Sequence, residues 1–113
     1  MANQLIPELL LERVAQRFKI LSEPVRLQLL NHLMANGEMS VNELVEVLHQ
    51  QQPNISKHLN LMAREGILHR RKEGLQVFYQ ISDPSIHGLC ILVCGRLRDE
   101  ANINPALTED LSQ

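Results

Sequence analysis

The chain has 113 residues, which suits one domain rather than two. Apolar residues make up 44% and charged residues 21%, ordinary globular values, and no apolar run approaches the ~20 residues of a membrane span. The formal net charge of −2 excludes a strongly basic chain, so any attraction to phosphate has to be local. Aromatics are only 3% with no Trp, so the core must be Leu, Ile, Val and Met. Such a core fits a helical domain that also buries surface against a partner. Two Cys do not make a disulfide framework, and Met1 to Gln4 carry no basic region before the first apolar residues. A cytoplasmic protein with reduced thiols is expected.

In chain order, Leu5, Leu9, Val14, Phe18 and Leu21 recur at near-helical spacing. They predict an amphipathic first helix over 4–21, with Pro7 in its first turn, where a missing N–H costs little. A second helix is expected from Ser22 as cap, with Pro24 in its first turn, Val25, Leu29, Leu30 and Leu33 as apolar positions, and Asn36-Gly37 as its end. Ser40 with Glu43 three residues on is a capping-box spacing and opens a third helix. His49-Gln50-Gln51 makes a turn into a fourth helix near Gln52-Pro53, where Ile55, Leu59 and Met62 form the inward stripe and Gly66 is the stop. Ile67 to Arg71 and Gln76 to Ile81 are strand candidates, joined at Lys72 to Leu75 with Gly74 able to take positive φ. Asp83-Pro84 starts a fifth helix that runs to about Asn102, with Asp83 as cap. The expected organisation is one domain over 1–103 and a loose acidic tail over 104–113.

Two short helices, a glycine stop and a basic hairpin are the plan of a winged helix-turn-helix, in a chain that is mainly α with a small β-hairpin. That plan presents the second helix of the pair to a DNA major groove. The charge distribution agrees with it. Residues 49–80 hold five basic side chains against two acidic ones, whereas both flanking regions are net acidic. With Ile55, Leu59 and Met62 turned inward, about 100° per residue puts Pro53, Lys57, Asn60 and Arg64 on the outer face. Asn54 and Ser56 flank them and Gln52 sits at the amino end. Amide and hydroxyl groups there suit base edges, and Lys57 reaches a base or a phosphate. Arg64 further along suits backbone, and Arg70, Arg71 and Lys72 on the wing suit phosphate or minor groove. A winged helix that binds protein instead is the alternative from another class, against which the three wing bases argue. No Ser/His/Asp set, phosphate-binding loop or carboxylate pair points to an enzyme.

Three stretches are similar to one family. Phe18 to Leu27, Gln52 to Leu68 and Arg70 to Tyr79 look like the second-helix entry, the recognition helix and the wing of the ArsR/SmtB family of bacterial winged-helix repressors. The resemblance implies a homodimer built on the first and last helices, bound to an inverted-repeat operator and released by an inducer. One departure is Gln51, a poor cap where the family usually has Ser or Thr. Others concern the family's metal sites. Ser40 and Asn42 stand where a thiolate site would have Cys, and Asp83, Ser85, Arg96 and Asp99 stand where the last-helix site would have its ligands, both His included. No metal cofactor is expected at either.

What remains for sensing is the last helix. Asp83, His87, Cys90 and Cys94 form one helical stripe, with the thiols one turn apart. Cβ atoms at that spacing lie ~5–6 Å apart, whereas a disulfide wants ~3.5–4.5 Å. A bond within the helix would be strained. The pair could instead take one thiophilic metal or metalloid as inducer, hold a short polysulfur bridge, or react across a dimer axis, with His87 as a weaker ligand. The competing reading is that Cys90, within the apolar face of Ile86, Leu89, Val93 and Leu97, and Cys94 at its edge are small hydrophobes. In that case the repressor has no inducer site in this chain.

Overall fold

The computed structural model describes residues 4–103; the acidic tail expected over 104–113 lies outside them. The described residues divide into two compact units, with the boundary between Ser82 and Asp83. In the first, a single 3-10 turn, Glu8–Leu10, precedes α1 (Leu11–Leu21), α2 (Pro24–Asn36), β1 (Met39–Ser40), α3 (Val41–Leu48), α4 (Gln52–Arg64), β2 (Leu68–Glu73) and β3 (Gln76–Ile81). The second contains α5 (Ser85–Ile103). Among the described residues no helix is long and apolar enough to cross a membrane.

The first helix is shorter than the apolar spacing suggests. Pro7 sits at φ −58, ψ 140, capping the 3-10 turn rather than lying inside an α-helix. A proline also biases the residue before it toward extended backbone, so helix cannot easily begin upstream of Ile6. Leu5 and Leu9 are left 96% exposed. The cap of α2 is Glu23 rather than Ser22: its Oε1 accepts from the Val25 N–H at 2.9 Å. Ser22 instead closes α1, its hydroxyl donating to the Lys19 carbonyl at 2.7 Å.

β1 has no counterpart in the sequence reading. Met39 pairs with Tyr79 and Ser40 with Phe78, making a three-stranded antiparallel sheet in the order β1-β3-β2. Two residues are too few for strand alternation to be legible. Ser40 also caps α3. The Glu43 N–H donates to Ser40 Oγ at 3.1 Å and the Ser40 N–H to Glu43 Oε1 at 2.8 Å, the reciprocal pair expected from the spacing.

α4 ends in a Schellman motif. Gly66 takes φ 81, its N–H bonds the Ala63 carbonyl, and the Ile67 N–H bonds the Met62 carbonyl. Ile67 and Met62, the apolar pair that accompanies this motif, are fully buried. The hairpin is tighter than expected. Glu73 pairs with Gln76, so the turn is only Gly74-Leu75, and Gly74 alone has positive φ. That is the pattern of a type II′ hairpin turn. The core of this unit joins Leu29, Leu30 and Leu33 of α2 with Leu44 of α3, the Ile55/Leu59/Met62 stripe of α4 and Tyr79 of β3, all at 2% exposure or less.

In α5, the Asp83 carboxylate accepts from both the Ser85 N–H (2.9 Å) and the Ser85 hydroxyl (2.7 Å), as a cap should. Ile91, Leu92, Val93 and Leu97 leave large apolar side chains exposed along this helix.

Candidate nucleic-acid interface

The inward stripe fixes what α4 shows to solvent. Gln52, Pro53, Lys57, Asn60 and Arg64 are exposed, and Asn54 and Ser56 are half-buried. Gln51 makes no side-chain cap and the first turn holds no acidic residue. The partial positive charge of the helix N-terminus is therefore not neutralised by a carboxylate on its own helix, as Glu43 does for α3. Near this end, Gln50 Oε1 accepts from the Asn54 amide, which orients that side chain. Asn60 is less available than the helical wheel suggests, because its Oδ1 accepts from the Tyr79 hydroxyl at 2.7 Å.

The same Tyr79 bond identifies the face of the sheet that looks toward α4. In the β2–β3 register Arg70 lies opposite Tyr79, Arg71 opposite Phe78 and Lys72 opposite Val77. Successive side chains of a strand point to opposite faces. Arg70 and Lys72 thus share the Tyr79 face with α4, whereas Arg71 lies on the other, with His69 and Glu73.

On that far face Arg71 is engaged within the protein. Its Nε and Nη2 donate to the two carboxylate oxygens of Glu38 at 3.0 and 2.7 Å, and its Nη1 donates to Glu73 Oε2 at 2.7 Å. Its guanidinium lies 4.5 Å from the centre of the Phe78 ring. The hydrogen bond from Arg71 holds the Glu38 carboxyl below the usual carboxylate range, and the two glutamates push the Arg71 pKa up.

Between α3, α4 and the hairpin tip runs a cleft of about 110 Å³, lined by Ser40, Asn42, Gln52, Ser56, Gln76 and Tyr79 among others. Asn42 and Gln76 join Gln52 and Ser56 of α4 there. No local pattern in the sequence could single them out, because three separate elements meet at the cleft.

α5 carries the sensing candidates. Cys90 is half-buried, Cys94 and His87 are exposed, and both thiols are free. Burial, then the neighbouring Cys94, pushes the Cys90 thiol pKa up. Arg96, which stands where the resembled last-helix metal site would have a ligand, pairs with Glu100 at 3.5 Å. Among the described residues no group of three or more His, Cys, Asp or Glu is placed to hold a metal ion.

The family profile described as "Bacterial regulatory protein, arsR family" matches residues 23–70. An uncharacterised HTH-type transcriptional regulator of Methanocaldococcus jannaschii is 40% identical over 82 residues, 73% of this chain and 92% of that one. The transcriptional repressor PagR of Bacillus anthracis is 31% identical over 83 residues, 74% of this chain and 83% of that one. Among solved structures, the homodimeric winged helix-turn-helix DNA-binding domain Mb0332 of Mycobacterium bovis superposes with a TM-score of 0.70 at 31% identity, covering 88% of this chain and 92% of that one.

Proposed function

The chain belongs to the ArsR family of bacterial regulatory proteins, and from that premise we propose that it is a transcriptional repressor, not an enzyme, that binds double-stranded operator DNA as a homodimer. The observation that carries this reading is the outer face of α4, where amide, hydroxyl and lysine side chains surround a helix start with no acid in its first turn. In this reading Gln52, Asn54, Ser56 and Lys57 enter the major groove and meet base edges. Asn60 and Arg64 follow the backbone, and Arg70 and Lys72 meet phosphate or the adjacent minor groove. Two copies joined through the exposed apolar side chains of α1 and of α5 hold their reading helices about one DNA turn (~34–36 Å) or a multiple of it apart, which matches an inverted repeat. The direct test is fluorescence anisotropy with a duplex from upstream of its own gene, titrated across salt concentrations. Tight binding whose logarithm falls steeply with log salt is expected. Equal, weak binding to every duplex would sink the repressor reading.

The inducer in this reading is thiol-directed: an oxidant, reactive sulfur, or a thiophilic metal or metalloid acting at Cys90 and Cys94. What supports it is two free thiols one helical turn apart, one of them exposed. In this reading exposed Cys94 reacts first and half-buried Cys90 is the second partner. A bridge there alters how two copies pair, and DNA is released by the differential affinity of the ligand for the two pairings. The Cys90→Ser, Cys94→Ser double variant should bind operator normally and ignore polysulfide, peroxide and arsenite, each of which is tried on the parent in gel shifts. If the parent ignores all three agents, the thiols are structural and the repressor has no inducer site here.

A further inference from the structure

The arginine pair on the wing divides by function. Arg71 reaches from β2, across Phe78 of the central strand, to Glu38, which lies between the Gly37 turn and β1. The bond therefore joins the two edges of the sheet. Isolated surface ion pairs contribute little, but a two-pronged guanidinium–carboxylate pair with a third bond and an aromatic platform is the geometry in which they do. It also sits where the fold needs it. β1 pairs with β3 only at Tyr79 and Phe78, so beyond Phe78 the hairpin is two-stranded. In addition, one cation between two carboxylates offers phosphate no net attraction. If Arg71 swung out to a phosphate, Glu38 and Glu73 would be left unpaired beside it.

We propose that Arg71 and Glu38 are positioning residues for DNA binding: their clamp fixes the wing angle, and so places Arg70 and Lys72 on the opposite face against the DNA backbone. The proposal rests on the DNA-binding reading above. It inverts the usual expectation for charge, since removing an acidic residue from a DNA binder ordinarily strengthens binding. Here Glu38→Gln weakens it.

The test measures operator affinity across a salt series for the parent, Glu38→Gln, Arg71→Ala, the double variant, and the reversed pair Glu38→Arg with Arg71→Glu. Both single variants should lose affinity several-fold with the salt slope unchanged, the double variant should lose no more than either, and the reversed pair should recover most of the loss. Hydrogen exchange of the free proteins should show faster exchange at the β2 and β3 amides in both single variants, with thermal midpoints near that of the parent. Tighter binding by Glu38→Gln, or a salt slope lowered by about one in Arg71→Ala, would make Arg71 a phosphate contact and overturn the clamp. So would unchanged wing exchange. A parent that binds no duplex removes the DNA reading itself, and the positioning role with it, a result distinct from a parent that binds while Glu38→Gln tightens.

Discussion

His58 behaves unlike the other polar residues of α4. It is 5% exposed, its Nδ1 accepts from the Arg26 Nε–H at 3.1 Å, and its Nε2 lies 3.8 Å from Glu23 Oε2. Accepting at Nδ1 requires the neutral ring. Burial foremost, then Arg26, holds its pKa below the ordinary 6.5; Glu23 opposes them and Lys57 adds to them. Above about pH 6.5 the ring is neutral folded and unfolded, and its contribution to stability is complete. Below that value the unfolded chain takes up the proton first, so stability falls until the lowered folded pKa is passed. Urea midpoints measured between about pH 7 and pH 5 should therefore drop in the parent and drop less in His58→Asn, which retains an acceptor but no titrating ring. An equal drop in both would place the titration elsewhere. On the outer face, Ser56→Ala or Lys57→Ala should cost ~1–3 kcal/mol of specific binding if each makes a base-edge contact. Arg70→Ala should weaken binding to all sequences and lower the salt slope by about one.

At the scale of elements, α4 is anchored by its inner stripe of Ile55, Leu59 and Met62, which is completely buried. Leu59→Ala should cost ~2–5 kcal/mol of folding stability by thermal or urea denaturation. A smaller loss would mean that the helix resettles into the cavity. The turn before α4 is the weaker part of the pair. His49 closes α3 in the left-handed region at φ 55, where a side chain is strained. His49→Gly should relieve that strain, less the entropy glycine loses on folding, for a net gain of roughly 0.5–1 kcal/mol. A lower melting temperature would show that the His49 ring makes a compensating contact. Two arginines join α1 to α4: Arg17 donates to the Glu65 carbonyl at 3.0 Å, and Arg26 bridges the Ile20 carbonyl and His58. These hydrogen bonds tie α1 directly to the end and the buried face of α4.

For the whole molecule, the question is what covers the apolar side chains left in water. Leu9, Leu10, Leu11 and Phe18 are exposed at the start of the first unit, and Ile91, Leu92, Val93 and Leu97 along α5. Exposed apolar surface of that extent is a mark of association. Sedimentation at micromolar concentration should give a dimer, and Phe18→Glu or Leu92→Glu should shift it toward monomer with loss of operator binding. A parent that sediments only as monomer would remove the inverted-repeat geometry. Along the chain, residues 49–80 are net basic between two net acidic stretches, despite the net charge of −2.

Local chemistry made much of this legible from the sequence. The capping box at Ser40 and Glu43, the glycine stop at Gly66, the inward stripe of α4 and the turn at Gly74 each depend on residues within a few positions of one another, which is the range over which helix periodicity, caps and turn geometry act. The start of α1 departs from the apolar spacing because Pro7 restricts the residue before it and caps a 3-10 turn. Tertiary structure alone decided the rest. Arg70, Arg71 and Lys72 form one basic run in the sequence, but the pleat sends Arg71 to the opposite face, where Glu38 from 33 residues earlier meets it. Buried His58, Asn60 held by Tyr79, and the two-residue strand β1 likewise depend on partners far along the chain. No local pattern encodes them, because the energy of each lies in a contact that exists only after the sheet and α4 have packed.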